Sequence, residues 1–314
     1  MKEFLLTTVA VLALAFVAYP TLTEAPIEAR SEPVLDIRPK ATVIFGGDMM
    51  FDRTIRKAME VRGEDSIFSC IAGILHEADM VVANLEGPIT EHPSMSLGSE
   101  IGSPENFTFT FPPSTAPFLA RHNIRLVNLG NNHIQNFGWE GVRSTLEYLG
   151  IGGVGHFGDP LEKRVAQIDI KRVQFTFINY NEFAPSGWRE SASTTRALIR
   201  AARADGRVPI VYAHWGDEYS LEVPQRVREF AYSFIDAGAA LVIGSHPHVV
   251  QEREEYAGTY IYYSLGNFVF DQYWNEAVRT GLLVRVSFTD NGVLSVEELP
   301  ISLERDGRTC LKTS

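Results

Sequence analysis

From Ala41 onward, short apolar and β-branched runs alternate with stretches patterned like amphipathic helices. The first pattern predicts strands, the second predicts helices, and their alternation predicts an α/β layered fold. Six runs end in polar clusters. Thr42-Val43-Ile44-Phe45 leads into Gly46-Gly47-Asp48, Met80-Val81-Val82-Ala83 into Asn84-Leu85-Glu86, and Ile124 to Leu129 into Gly130-Asn131-Asn132-His133. Val208 to Ala213 ends at His214-Trp215-Gly216-Asp217-Glu218, Ala239 to Ile243 at Gly244-Ser245-His246-Pro247-His248, and Tyr260 to Tyr263 at Ser264-Leu265-Gly266-Asn267. Helix-length patterns lie around Thr54 to Arg62, Glu140 to Leu149, Thr195 to Ala204 and Gln225 to Ala237.

Every polar cluster follows its strand, so all share one end of the layer, where loops of neighbouring strands converge on a crevice. The converging side chains are Asp48, Glu86, Asn132, His133, His214, His246 and His248, which include four of the eight histidines. Carboxylates, an amide and imidazoles are ligands of borderline metals such as Zn²⁺, Mn²⁺ or Fe. Singly, each has a plainer reading. Asp48 could cap the helix at Thr54, Asn131-Asn132 could serve a turn, and His246-Pro247-His248 could be a turn with packed rings. Coincidence explains the joint set badly.

Composition narrows the function. With 28 Lys+Arg against 39 Asp+Glu, the net charge of −11 argues against a general nucleic-acid binder. Two cysteines, Cys70 and Cys310, exclude a disulfide framework and a cysteine-rich zinc module, while leaving one bridge or two thiols open. Gly150 to Gly155 fits Gly-x-Gly-x-x-Gly but follows a helical pattern instead of opening one, so no dinucleotide site is expected. Arg196, Arg200, Arg203 and Arg207 form a stripe that could meet a polyanion, although a solvated helix face accounts for it more simply. Thr90 to Glu105 and Glu182 to Thr194 read as long loops, of the kind that serve as lids or plain insertions.

The N-terminus reads as a targeting segment. Phe4 to Tyr19 is apolar apart from Thr7 and Thr8 and follows Lys2. Sixteen residues cover roughly 24 Å, short of the roughly 30 Å hydrocarbon core, and extension through Leu22 nearly closes the gap. No convincing small-x-small cleavage site follows, which favours an uncleaved anchor over a signal peptide. The expected organisation is an anchor or signal at 1–22, a linker at 23–40, a folded domain at 41–303 and a tail at 304–314, with the folded part outside the cytoplasm.

Taken in order, the six clusters resemble the CapA family of capsule and poly-γ-glutamate synthesis proteins, related to calcineurin-like metallophosphoesterases. The resemblance covers roughly Ala41 to Leu303 and rests on Gly47-Asp48, Asn84-Leu85-Glu86, Asn131-Asn132-His133, His214 to Tyr219, Gly244 to His248 and Tyr263 to Phe268. It implies a four-layer α/β/β/α sandwich of metallophosphoesterase type with two mixed sheets, and an uncleaved anchor. It also implies one or two divalent ions (Mn, Zn or Fe) held by Asp48, Glu86, Asn132, His214, His246 and His248, with His133 as general acid. Asn84, Asn131, Asp217, Glu218 and Asn267, from the same clusters, are expected in substrate-binding or supporting places. Two departures stand out: Met50 occupies the position where the phosphoesterases carry a histidine, and Glu86 replaces an aspartate.

Three functions follow. The first is an anchored extracytoplasmic protein for making or exporting a capsule polymer, with an anionic polymer as ligand and other membrane components of a synthase as partners. The second is a secreted phosphoesterase acting on a phosphoester. The third is a metal-free assembly subunit on the same scaffold, which Met50 keeps in play.

Overall fold

The computed structural model describes residues 41–161 and 164–312. The expected anchor and linker lie outside these residues. Among the described residues no helix is long and apolar enough to cross a membrane.

The chain builds one sheet, then a second, then returns to finish the first. It begins with β1 (Ala41–Met49), β2 (Met80–Leu85), β3 (Ile124–Asn128) and β4 (Gly155–Phe157), parallel neighbours in that order. The second sheet is continuous in sequence. It comprises β5 (Val165–Ile170), β6 (Val173–Asn181), β7 (Val208–His214), β8 (Leu241–Ser245), β9 (Arg253–Tyr256) and β10 (Thr259–Tyr262), in the order β5-β6-β7-β8-β10-β9. The chain then adds β11 (Asn267–Val269), parallel to β1, and the antiparallel series β12 (Thr280–Thr289), β13 (Gly292–Leu303) and β14 (Thr309–Leu311), with β12 against β1. Both sheets are mixed.

The central strands are buried on both faces, which explains why their apolar runs do not alternate with polar residues. In β1, Ile44 joins an outer core while Val43 and Phe45 join the core between the sheets; in β7, Ile210 and Tyr212 face inward and Val211 and Ala213 outward. Helices α1 (Arg53–Arg62), α2 (Ala72–His76), α3 (Thr115–Arg121) and α4 (Gly138–Gly152) cover the first sheet through Ile55, Leu75, Phe118 and Val142. Helices α5 (Trp188–Ala204) and α6 (Gln225–Asp236) cover the second through Ile199 and Phe234. A short α7 (Glu276–Arg279) precedes β12. The result is the expected four-layer α/β/β/α sandwich.

Three features differ from expectation or settle it. Helix α5 starts at Trp188, so the loop expected from Glu182 to Thr194 is shorter; buried Ser191 and Ala192 extend the packed face toward the N-terminus. The segment expected as a tail contributes β14, paired with β13 from Ile301↔Leu311 to Leu303↔Thr309. Cys310 on that strand is joined to Cys70 by a disulfide, tying the last strand to the region before α2 across 240 residues.

Candidate metal centre

The strand register brings the polar clusters into line. In the first sheet Asp48 lies opposite both Asn84 and Asn267, and Asn84 lies opposite Asn128. In the second, His214 lies opposite Asn181 and Ser245. Polar bonds cross between the sheets at this end: Tyr212 Oη donates to Gly46 O (2.5 Å), the His246 amide to Asp48 Oδ2 (3.0 Å), and Asn179 Nδ2 to Asn128 Oδ1 (2.9 Å). The approach is close enough that glycine is required at position 47, where a Cβ would lie 1.8 Å from Gly266 O.

Asp48, Glu86, His214, His246 and His248 all meet in this crevice and all are buried. Their ligand atoms form two groups within 4.8 Å: Glu86 with His214 and His246, and Asp48 with Glu86 and His248. Glu86 belongs to both groups, as a bridging carboxylate does in a two-ion centre. The helix-capping role open to Asp48 falls to Asp52, whose side chain accepts from the Arg53 amide at the start of α1. Asp48 is instead held by Asn84 Nδ2 (2.8 Å) and the His246 amide.

Neighbouring side chains orient the imidazoles. Asn267 Nδ2 donates to three acceptors, among them the carbonyls of His248 and Val278, so its Oδ1 faces His248 Nδ1 at 2.9 Å. The proton then sits on Nδ1, and Nε2 presents a lone pair 3.6 Å from Glu86 Oε1. Ser245 Oγ donates to Ala213 O and receives His214 Nδ1 at 3.1 Å. That leaves His214 Nε2 facing Asn132 Oδ1 at 2.9 Å, two acceptors that a shared cation would reconcile. Asn132 itself is exposed at the rim. His246 has φ 101° and His248 φ 57°, left-handed backbone that is uncommon for non-glycine residues.

Electrostatics and unmet bonding both call for a cation. Burial pushes Asp48 up to about 6 against the hydrogen bonds that favour its charge. Burial and then the Asp48 charge hold Glu86 well above the carboxylate range. Burial lowers His214 and His248 well below the usual value and His246 to about 4, so the rings are neutral ligands at pH 7. Glu86 Oε1 and His246 Nδ1 are buried with no hydrogen-bond partner among the described residues. A buried carboxylate oxygen and a buried imidazole nitrogen left without partners in one ligand group are costly unless an ion supplies the missing contact. The residues present therefore fit a divalent metal.

The remaining expected residues are placed as follows. His133 packs on Phe109 (4.5 Å between centroids) with Nδ1 3.1 Å from Asn136 Oδ1, and burial lowers it to about 4. Asn131 donates to Asn84 Oδ1 and Leu85 O and accepts from the His133 and Ile134 amides, which shapes the loop. Asp217 points away to Arg226 (2.8 Å), while exposed Glu218 adds to the field that raises Glu86. Met50 turns into the outer core, where its sulfur receives the Asp52 amide.

Several contributors escaped sequence reasoning. Asn128 donates to Asn84 Oδ1 (3.0 Å), and Asn179 continues the amide chain; each is a lone asparagine inside an apolar run, a signal available in the sequence. Phe183 covers His246 at 4.3 Å between centroids. Arg53 has φ 50°, pairs with Asp271 (2.5 Å), and is the cation acting on Glu86.

A two-sheet α/β protein with a buried carboxylate and imidazole centre is thus defined by its own geometry. Comparison with known proteins gives the family: the chain belongs to the bacterial capsule synthesis proteins, PGA_cap, matching over residues 42–272. It is 31% identical over 275 residues to the PGA biosynthesis protein CapA of Bacillus subtilis (strain 168), covering 82% of this chain and 70% of that one. It is 26% identical over 301 residues to the capsule biosynthesis protein CapA of Bacillus anthracis, covering 88% and 71%. The crystal structure of TT1561 of Thermus thermophilus superposes with a TM-score of 0.43 at 10% identity, covering 80% of this chain and 99% of that one, a likeness too loose to bear on the site.

Proposed function

We propose that the chain is held at the outer face of a membrane by its N-terminal apolar segment and handles poly-γ-glutamate or a related anionic capsule polymer at a divalent metal centre. Asp48, Glu86, Asn132, His214, His246 and His248 hold the ion or ions. The observation that carries this reading is the pair of orphaned buried atoms, Glu86 Oε1 and His246 Nδ1, inside a ligand cluster of a capsule synthesis protein. The mixed oxygen and nitrogen donors suit Mn²⁺, Zn²⁺ or Fe. The names of the Bacillus relatives support the polymer. The Cys70–Cys310 bridge supports an oxidising compartment outside the cytoplasm. A bound ion supplies Lewis acidity toward a carbonyl, carboxylate or phosphoryl oxygen and offsets the charge that an acidic chain otherwise turns toward a polyanion. His133 stands at the same crevice as a proton carrier. Other membrane components of a polymer synthase complete the machinery.

The test is elemental analysis of the chain from Ser31 onward, purified without chelator and resupplied with Mn²⁺ or Zn²⁺, alongside polymer formation in cells carrying Asp48→Asn. One or two ions per chain in the wild type, and loss of both metal and polymer in the variant, are expected. No bound metal, or normal polymer in the variant, overturns the reading.

A second reading is favoured by the sharing of Glu86 between two ligand groups, the arrangement that two-ion phosphoester hydrolysis uses. Turnover of a phosphoester by the metal-loaded chain, abolished by His133→Ala while polymer formation continues, would replace the first reading with this one.

A further inference from the structure

Beside the candidate metal centre lies a groove of about 420 Å³, lined by Arg53, Tyr219, Gln272 and Trp274 and, from the long loop and the turn after it, by Leu97, Ile101 and Phe107 among others. Tyr219 joins the two: its ring lies 5.9 Å from His248, nearly parallel, and meets Trp274 edge-on at 5.3 Å. The acid in this groove, Asp271, is committed to Arg53 and to Thr54. Trp274, 61% exposed, also walls a second cavity of about 340 Å³, which holds Arg279, Arg305 and Lys312. Arg279 and Arg305 spend single donors on the carbonyls of Leu303 and Tyr273, and among the described residues neither forms a close ion pair, although the Arg279 charge acts on Glu276 in the same cavity. Lys312 pairs with Glu276, an exposed acid that a ligand can displace at small cost.

Three cations around one cavity are notable in a chain of net charge −11. The arginine stripe, which the sequence offered as a polyanion surface, is largely committed elsewhere. Arg196 bonds to Ser233, Arg203 to Gly238 O, and Arg207, beyond the end of α5, to Asp169 and Phe175 O.

We infer, resting on the polymer-handling reading, that a polycarboxylate chain binds in an extended subsite running from the metal centre along the Tyr219–Trp274 groove into the basic pocket of Arg279, Arg305 and Lys312. The aromatic walls take the methylene stretches of a γ-linked glutamyl backbone, and the basic pocket takes its carboxylates several residues from the metal. A short ligand at the metal centre reaches only the groove; a long one engages both cavities.

The test is fluorescence anisotropy of labelled γ-linked glutamate decamer and dimer on the metal-loaded chain. The variant Arg279→Gln/Arg305→Gln/Lys312→Gln should bind the decamer about tenfold more weakly, with flatter salt dependence, while dimer affinity and metal content stay at wild-type values. Arg305→Glu, a single change in case the triple variant folds poorly, should show the same selective loss at about half the logarithmic size. Unchanged decamer binding in both variants, or equal loss for dimer and decamer, overturns the subsite and leaves the polymer reading standing. If the wild type binds neither ligand, the two fall together.

Discussion

The two sheets of the sandwich contribute unlike chemistry to one centre. The first supplies the carboxylates, Asp48 from β1 and Glu86 just after β2, and the amides Asn84 and Asn267 that hold its ligands. The second supplies the imidazoles, His214 ending β7 and His246 and His248 just after β8. Neither set makes a closed site alone, since one ligand group joins Glu86 to two second-sheet histidines and the other joins both carboxylates to His248. The centre is a property of how the sheets pack, and disturbing that packing should cost more than removing any one supporting contact.

The largest effect is therefore expected at the inter-sheet core. Phe45 packs between Phe177 of the second sheet and Phe288 of its own, at 6.5 and 6.4 Å. Phe45→Ala should cost about 3–5 kcal/mol in denaturant unfolding and weaken metal retention in parallel; normal retention would show that the ligands need no support from the shared core.

The second effect sets the sheets against each other in acid. His246, lowered to about 4 from 6.5, resists protonation in the folded state while the unfolded chain accepts it, so its contribution declines as pH falls through that window. Asp48, raised to about 6 from 3.8, holds a proton better when folded, so its contribution is full below 3.8 and is lost as pH rises toward 6. In the metal-free protein, stability relative to wild type should thus improve on acidification for His246→Asn and worsen for Asp48→Asn. Each should drift by about 3 kcal/mol between neutral pH and pH 4, measured by denaturant titration at each pH. Drifts of the same sign would dissolve the contrast.

A smaller loss is expected at Asn84, which donates to Asp48 without belonging to either ligand group. Asn84→Ala should reduce metal affinity about 10- to 100-fold in a chelator competition, the usual consequence of releasing a ligand from its support. The smallest belongs to Arg196, whose contact with Ser233 is long at 3.4 Å; Arg196→Gln should change stability by less than about 0.5 kcal/mol.

The sequence carried the site further than the fold's edges. Asp48, Glu86, His214, His246 and His248 were legible because each follows an apolar run at a strand's end, where α/β topology forces convergence. Strand β5 and the antiparallel series β12 to β14 carry no polar terminal cluster of that kind, so the same signal could not mark them. The supporting roles of Asn128, Asn179 and Ser245 were not legible, because they depend on cross-strand register and inter-sheet contact that local pattern does not encode. Met50 explains itself only in three dimensions: the chain turns its side chain to the opposite face from Asp48.

The interrupted order of the first sheet bears on how the molecule is made. β1 sits in the middle of that sheet, yet its partner β12 begins only at Thr280 and β14 closes the far edge at Leu311. Without those strands, the stretch Ala41 to Phe45 of β1 keeps one side bare, an invitation to pair with another chain. A protein trimmed to the family match at residue 272 would retain Asp48, Glu86, all three histidines and β11, and still be left with Ala41 to Phe45 open on that side. The strand beginning at Thr280 supplies that closure, and the Cys70–Cys310 link ties the strands that follow it back to the region before α2.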